Sequence, residues 1–415
     1  MTTTARAFDV PPETAPPKGA CPVINWDFAS SRPPLDFYLE LDAMREASPF
    51  YYNEFGGTGG FWMLTRYDEV REAYQTPEIF SSDSVTVLDA NPPYTFIPTH
   101  MKAPEHQKYR RLLNPRFSPA TVAGIEPSTR QWCRDVVGAF ADRGSCDAVT
   151  DFAGLFPTGV FLNILGLPFS DAPQLLEWVT AVFAAMADPS LQDGMVNAMA
   201  GISVYFAELL AERRARPLDP DTDFMSFLIT GEVDGRPLTD EEIGNLCLVL
   251  VLAGLDTVKS QISYTIWHLA THPDDQQLLR DRPELIPTAV EEMLRAYAVV
   301  MDGRKVAEDV DFHGCPMKKG DMVMLTLPSA TRDELVFPEA TRVELDREHN
   351  VHVAFAAGPH RCLGAHLARQ ELAVAIEEWH RLVPTYSVPA GVELTAHGGQ
   401  LGLDSLPLVW NVEGA

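Results

Sequence analysis

The chain has 415 residues, 46% of them apolar and 22% charged, the proportions of a globular protein rather than a disordered one. Its formal charge of −26 at pH 7 excludes general nucleic-acid binding, which needs a basic footprint. A local basic patch for an acidic protein partner remains open.

Residues 1–20 are expected to form a flexible arm: Met1 to Pro17 is polar and proline-rich and lacks the apolar stretch of a signal peptide or anchor. From about residue 36 apolar residues recur at helical spacing, as in Phe37, Leu39, Leu41 and Met44. Short β-like runs follow at Tyr51-Tyr52 and from Gly60 to Thr65. Residues 81–100 hold Pro92, Pro93 and Pro98 and read as a long irregular loop, a kind that is usually functional or mobile. Residues 104 to about 300 read as mostly helix, with breaks at Pro173, Pro189, Pro217, Pro220 and Pro273. The longest helix is expected over Asp240–His272. Its middle, Leu246 to Leu255, is apolar all round and belongs at the centre of the molecule. Residues 305–330 read as short strands with turns at Gly314 and Lys319-Gly320-Asp321. No repeat or linker divides 21–415, which reads as one domain, mainly α with a small β part. No run of about twenty apolar residues is found, so no membrane span is expected.

Six cysteines stand at Cys21, Cys133, Cys146, Cys247, Cys315 and Cys362. No pair has metal or redox spacing, so reduced thiols and a cytoplasmic location are the expectation. Cys362 is set apart by its surroundings, Phe355-Ala356-Ala357-Gly358-Pro359-His360-Arg361-Cys362-Leu363-Gly364, a glycine-bracketed loop that runs into a helical stretch from Ala365. N–H groups at a helix N-terminus favour negative charge, which biases a cysteine there toward thiolate. One thiolate cannot build a four-cysteine site, but it can be the single axial ligand of a haem iron. Zinc held by His360, Cys362 and His366 is an alternative without an evident fourth ligand.

The run resembles the haem-binding signature of the cytochrome P450 monooxygenases, Phe-x-x-Gly-x-His-x-Cys-x-Gly, at Phe355, Gly358, His360, Cys362 and Gly364. Ala253-Gly254-Leu255-Asp256-Thr257, inside the expected central helix, resembles the family's oxygen-activation segment. The threonine hydroxyl there can bond the carbonyl four residues back, and Gly254 is expected to leave room for a diatomic ligand or water. Asp256 and Thr257 are the expected proton relay, and Lys259, three residues on, can pair with Asp256. Glu292 and Arg295 match a Glu-x-x-Arg pair whose implied role is structural, with Arg332-Asp333 and Phe337-Pro338 expected to complete it. His106, Arg110, Arg304 and His360 match the residues that hold the haem propionates, and Asp302 is expected to join them.

Within the family the chain resembles the soluble bacterial class, above all the camphor hydroxylases and related terpenoid hydroxylases. The likeness runs from about residue 36 and is densest after residue 230. It implies the P450 fold, with haem b (iron protoporphyrin IX) buried between the central helix and the cysteine loop. It also implies Tyr94 as a hydrogen-bond donor to substrate, in a pocket of Phe96, Val249, Leu252, Ala253, Val300 and Met301. Gln400 stands where an aliphatic pocket residue is expected, Val85 and Val87 replace bulkier groups, and the helix near Leu176 lacks the relatives' lysine. The implied activity is hydroxylation of a small apolar substrate, a monoterpenoid of camphor or cineole type, with O2. No dinucleotide fingerprint is present, so a ferredoxin with its reductase is the implied electron donor, met by Arg110, Arg111 and Arg361. A peroxide-driven hydroxylase and a non-catalytic haem or small-ligand binding protein are the alternatives; the intact Asp256-Thr257 pair argues against both.

Overall fold

The computed structural model describes residues 15–412 except 20 and 56–58. The central helix, Asp240–Thr271, falls where the apolar run places it. Thr239 caps it: its hydroxyl accepts from the Glu242 N–H while the Glu242 carboxylate accepts from the Thr239 N–H. At 1.5 Å per residue its 32 residues span about 48 Å. It is largely buried because Leu155–Leu165, Ala172–Ala187, Gln192–Ala215, Ile286–Ala296 and Ala365–Leu382 all pack against it.

A smaller β part flanks these helices. A seven-stranded sheet runs in the order Ala15–Lys18, Cys21–Ile24, Phe50–Asn53, Phe61–Leu64, Met322–Thr326, Met301–Val306, Phe80–Ser81. Met322–Thr326 lies parallel to Phe61–Leu64 and antiparallel to Met301–Val306. All five of its residues are buried, as a strand covered on both faces requires. The hairpin Val310–Phe312 with Cys315–Met317 turns at Gly314, where φ is +89°, as the glycine signal implied.

Three expectations change. Of the predicted arm, residues 1–14 lie outside the described residues, and Ala15–Lys18 forms the sheet's edge strand. Cys21 and Cys315 are not separate thiols but a disulfide, with Cα atoms 6.0 Å apart. Their separation of 294 positions hid the pair; only the fold brings strand and hairpin together. By length and composition alone, Gln192–Ala215 and Asp240–Thr271 could cross a membrane. Counting uninterrupted apolar residues missed them, since isolated polar residues break both runs.

Candidate active site

The cysteine loop and the central helix face one another across a cavity of about 370 Å3. One wall is the helix face bearing Val249, Ala253, Gly254, Thr257, Val258 and Gln261; the opposite wall is Phe355, Cys362 and the start of the helix Ala365–Leu382. The loop's shape has local causes. Gly358 sits at φ +68°, and a Cβ there would meet the Tyr74 carbonyl oxygen at 2.3 Å, so only glycine fits. The Cys362 N–H donates to the Phe355 carbonyl at 3.0 Å, closing the turn, and the Ala368 N–H donates to Gly364 at 2.9 Å as the helix begins. Arg369 stacks over the Phe355 ring at 4.6 Å and pairs with Glu291.

Cys362 is exposed, and it lines this cavity. Burial pushes the thiol up, against opposing pulls from the Gly364 N–H and from Arg110, Arg361 and Arg369. The Gly364 N–H at the start of the helix favours the thiolate, in the direction its position implied, while burial opposes it. A coordinated metal ion would deprotonate the thiol outright.

Polar groups gather along one edge. The His106 and His360 rings lie 4.0 Å apart, and burial lowers His106 to about 4 and His360 to about 3, so both are neutral. His106 Nδ1 is buried without a hydrogen-bond partner among the described residues. Arg304 donates to Asp302 at 2.7 Å and stacks on Tyr74, whose hydroxyl donates to the same carboxylate at 3.1 Å. Arg110, Arg304 and Asp302 all line the cavity. An inward thiol, an unpartnered imidazole and two guanidinium groups around an apolar cleft suit a flat iron tetrapyrrole with two carboxylates. Cys362 would take the iron, and His106, Arg110, Arg304 and His360 the carboxylates. Among the described residues no three His, Cys, Asp or Glu side chains group to hold a metal ion, so His360, Cys362 and His366 form no zinc site.

Asp256 and Thr257 face different spaces. Thr257 lines the inner cavity and donates to the Ala253 carbonyl at 2.9 Å, as its spacing implied. Asp256 lines a second, outer cavity of about 570 Å3 together with Asp27, Phe183, Asp188, Lys259 and Gln400. Its two oxygens are engaged by Lys259 Nζ at 2.7 Å and Gln400 Nε2 at 2.8 Å. The expected Lys259 pair is thus formed, while Gln400, expected beside substrate, binds the acid instead. Gly254 also has a different reason from the one expected. A Cβ there would come within 2.6 Å of the Phe161 ring, so the glycine lets the two helices approach.

Of the other expected substrate contacts, Val249, Ala253 and Val300 line the inner cavity. Tyr94, Phe96, Leu252 and Met301 lie outside its lining. Tyr94 packs against Phe96 and His100, and burial with nearby Asp89 raises its phenol to about 12. Behind the site, Arg295 donates to both oxygens of Glu292 at 2.7 and 2.8 Å, with both side chains fully buried. Arg347 and Asn350 complete this network at 3.0 and 2.9 Å. The expected Arg332 instead pairs with Asp42, and Asp333 with Arg66. Nothing in the sequence marks Arg347. Glu371 was also missed, although Gly364, Leu367, Ala368, Glu371 and Leu372 form a helical run along the cavity wall that could have found it.

Comparisons with known proteins agree on one family. The sequence model of the Cytochrome P450 family matches residues 37–379. A probable cytochrome P450 127A1 of Sinorhizobium fredii is 34% identical over 85% of this chain and 84% of its own length. A methyl-branched lipid omega-hydroxylase of Mycobacterium tuberculosis is likewise 34% identical, over the same shares. Among solved structures, CYP101J2 superposes with a TM-score of 0.84 at 29% identity, covering 94% of this chain and 97% of that one.

Proposed function

The chain belongs to the cytochrome P450 family of haem b monooxygenases, and we propose that it hydroxylates a small apolar substrate of monoterpenoid class, camphor or cineole in type. The observation that carries this reading is the apolar lining that Val249, Ala253 and Val300 add to the cavity they share with Thr257 and Cys362. Such a wall binds by burial of apolar surface, about 25 cal/mol per Å2, and excludes water from the reacting centre. The Mycobacterium tuberculosis relative's name specifies a lipid, so the likeness to relatives does not select the substrate.

Bound haem supplies a thiolate-ligated iron at which dioxygen is activated. Cys362 holds that iron, and the neutral imidazoles of His106 and His360 with the guanidinium groups of Arg110 and Arg304 hold the carboxylates. Asp302 fixes Arg304 in place. Thr257 presents a hydroxyl to the inner cavity, and Asp256 takes protons from the outer one. Electrons come from a ferredoxin with its reductase. Arg110, Arg111 and Arg361 steer that acidic partner, so reduction slows as salt rises. The cytoplasm is the proposed location.

Optical titration of the ferric, haem-loaded protein with camphor and with cineole tests the substrate class. A saturable shift of the Soret band from low spin toward high spin with either is the expected result. A normal haem spectrum that neither ligand shifts removes the monoterpenoid class and leaves the family reading standing.

A further inference from the structure

Residues 82–104 form no helix or strand, so their backbone groups must find partners one by one. Turns supply some of these. The His100 N–H donates to the Phe96 carbonyl at 2.7 Å, and the Met101 N–H to the Pro98 carbonyl at 3.0 Å. Tyr94, Phe96 and His100 pack into one aromatic body, with the Phe96 ring 4.9 Å from each of the other two. The part of this segment that reaches the inner cavity is Ile97, Pro98 and Thr99.

Two side chains from other elements hold the segment in place. Asn245 lies in the second turn of the central helix, at the edge of its apolar run. Asparagine is a poor helix former, so helix stability does not account for it there. Its Oδ1 accepts from the Ile97 N–H at 2.6 Å, and its Nδ2 donates to the Thr95 carbonyl at 2.5 Å. One amide thus brackets Phe96 from both sides. Lys305 lies on the strand Met301–Val306 and pairs with no carboxylate among the described residues. Its Nζ donates instead to the Ala90 carbonyl at 2.8 Å and to Asn91 Oδ1 at 2.7 Å. Neither Asn245 nor Lys305 lines the inner cavity.

We propose that Asn245 and Lys305 are positioning residues for substrate selectivity, clasping the segment from two elements so that Ile97, Pro98 and Thr99 stand as a fixed wall of the inner cavity. The proposal rests on the monooxygenase reading, since the selectivity is that of the same site. A wall held in place before the ligand arrives need not be ordered on binding, and affinity gains by that saving. With Asn245 removed, a ligand that reaches the wall must order the segment itself. A ligand that stays beside the iron need not. Asn245 acts on the wall directly, through Thr95 and Ile97. Lys305 acts from earlier in the segment, through Ala90 and Asn91, so its share is smaller.

Imidazole and 4-phenylimidazole, titrated optically into the ferric, haem-loaded protein, separate the two cases. Both ligate iron through nitrogen, and only the larger adds an apolar ring that fills the cavity toward the wall. In Asn245→Leu the affinity for 4-phenylimidazole should fall about tenfold, the order of one or two hydrogen bonds, and that for imidazole by no more than about twofold. Lys305→Met should lower the first about threefold. Asn245→Asp keeps the acceptor for the Ile97 N–H and should recover part of the loss. Backbone hydrogen exchange around Thr95 and Ile97 should quicken in Asn245→Leu, while the Soret band and melting temperature stay as in the parent. Asn245→Ser, measured alongside, should show the same fall in the ratio of the two affinities. An unchanged ratio in both Asn245→Leu and Asn245→Ser overturns the proposal. So does an equal loss for both azoles, or exchange as slow as in the parent. Failure of the monoterpenoid reading looks different: camphor and cineole leave the Soret band unmoved in parent and variants, while the azole ratio still falls in Asn245→Leu.

Discussion

At the scale of single residues, Asp256 cannot hand a proton to Thr257 in the arrangement described. Lys259 and Gln400 hold both of its oxygens, and the Thr257 hydroxyl is turned back to Ala253. One of the two holds must release before the acid can turn inward. A hydrogen bond to a charged group is worth about 1.5–3 kcal/mol, so removing Gln400 should raise the released population at least ~10-fold. Gln400→Leu is therefore expected to speed electron-driven turnover and shrink its solvent isotope effect, and Lys259→Ala to change the product formed per electron. Neither variant should move substrate affinity by more than about twofold, because neither side chain lines the inner cavity. Unchanged coupling in Lys259→Ala would show that the pair has no part in proton supply. Lys259 was legible because three residues is a helical contact distance. Gln400 was not, because 144 positions separate it from Asp256. Gly254 was read as room for a diatomic ligand or water; that it instead admits the Phe161 ring depends on a neighbouring helix that local spacing does not describe.

At the scale of elements, the first turn of the central helix carries an acid-sensitive joint. Glu242 accepts from the Thr239 N–H, from Arg236 at 2.7 and 2.8 Å, and from the Tyr109 hydroxyl. The hydrogen bonds from Arg236 lead in holding its carboxyl down to about 2, against the opposing effect of burial. A carboxyl lowered in the folded state contributes stability that is complete above its unfolded value of 4.5 and is lost as pH falls from there toward about 2. Arg236 is half exposed, so solvent screening discounts the contribution to about 2 kcal/mol. Glu242→Gln should cost that amount at pH 7 in denaturant unfolding, and the gap from the parent should close between pH 4.5 and about 2. A constant gap across that range would place the stabilisation in packing rather than charge. The helix's extent was readable from its apolar run. That Tyr109 reaches the cap was not, because Tyr109 belongs to the separate helix Glu105–Leu113.

At the scale of the whole molecule, the Cys21–Cys315 disulfide ties the N-terminal strands to the small hairpin and closes a loop of 294 positions in the 415-residue chain. In the chain-entropy account such a loop restricts the unfolded state by ~5–6 kcal/mol, an upper bound for the stabilisation. Cysteine spacing could not reveal it, since spacing reports local frameworks and this pair is joined only when the first strands reach the hairpin. Both partners are buried, with Cys21 at 1% and Cys315 at 0% exposure, so a reductant should act slowly unless the edge strands open. The denatured protein should titrate four thiols before reduction, those of Cys133, Cys146, Cys247 and Cys362, and six after it. Cys21→Ser should lower the melting temperature of the oxidised protein and leave that of the reduced protein nearly unchanged. The same count bears on location. Disulfides persist in oxidising compartments and are uncommon in the cytoplasm, so protein drawn directly from cells and quenched with acid should hold six thiols if the cytoplasmic location is right. Four thiols in that sample would place the chain where oxidation is maintained.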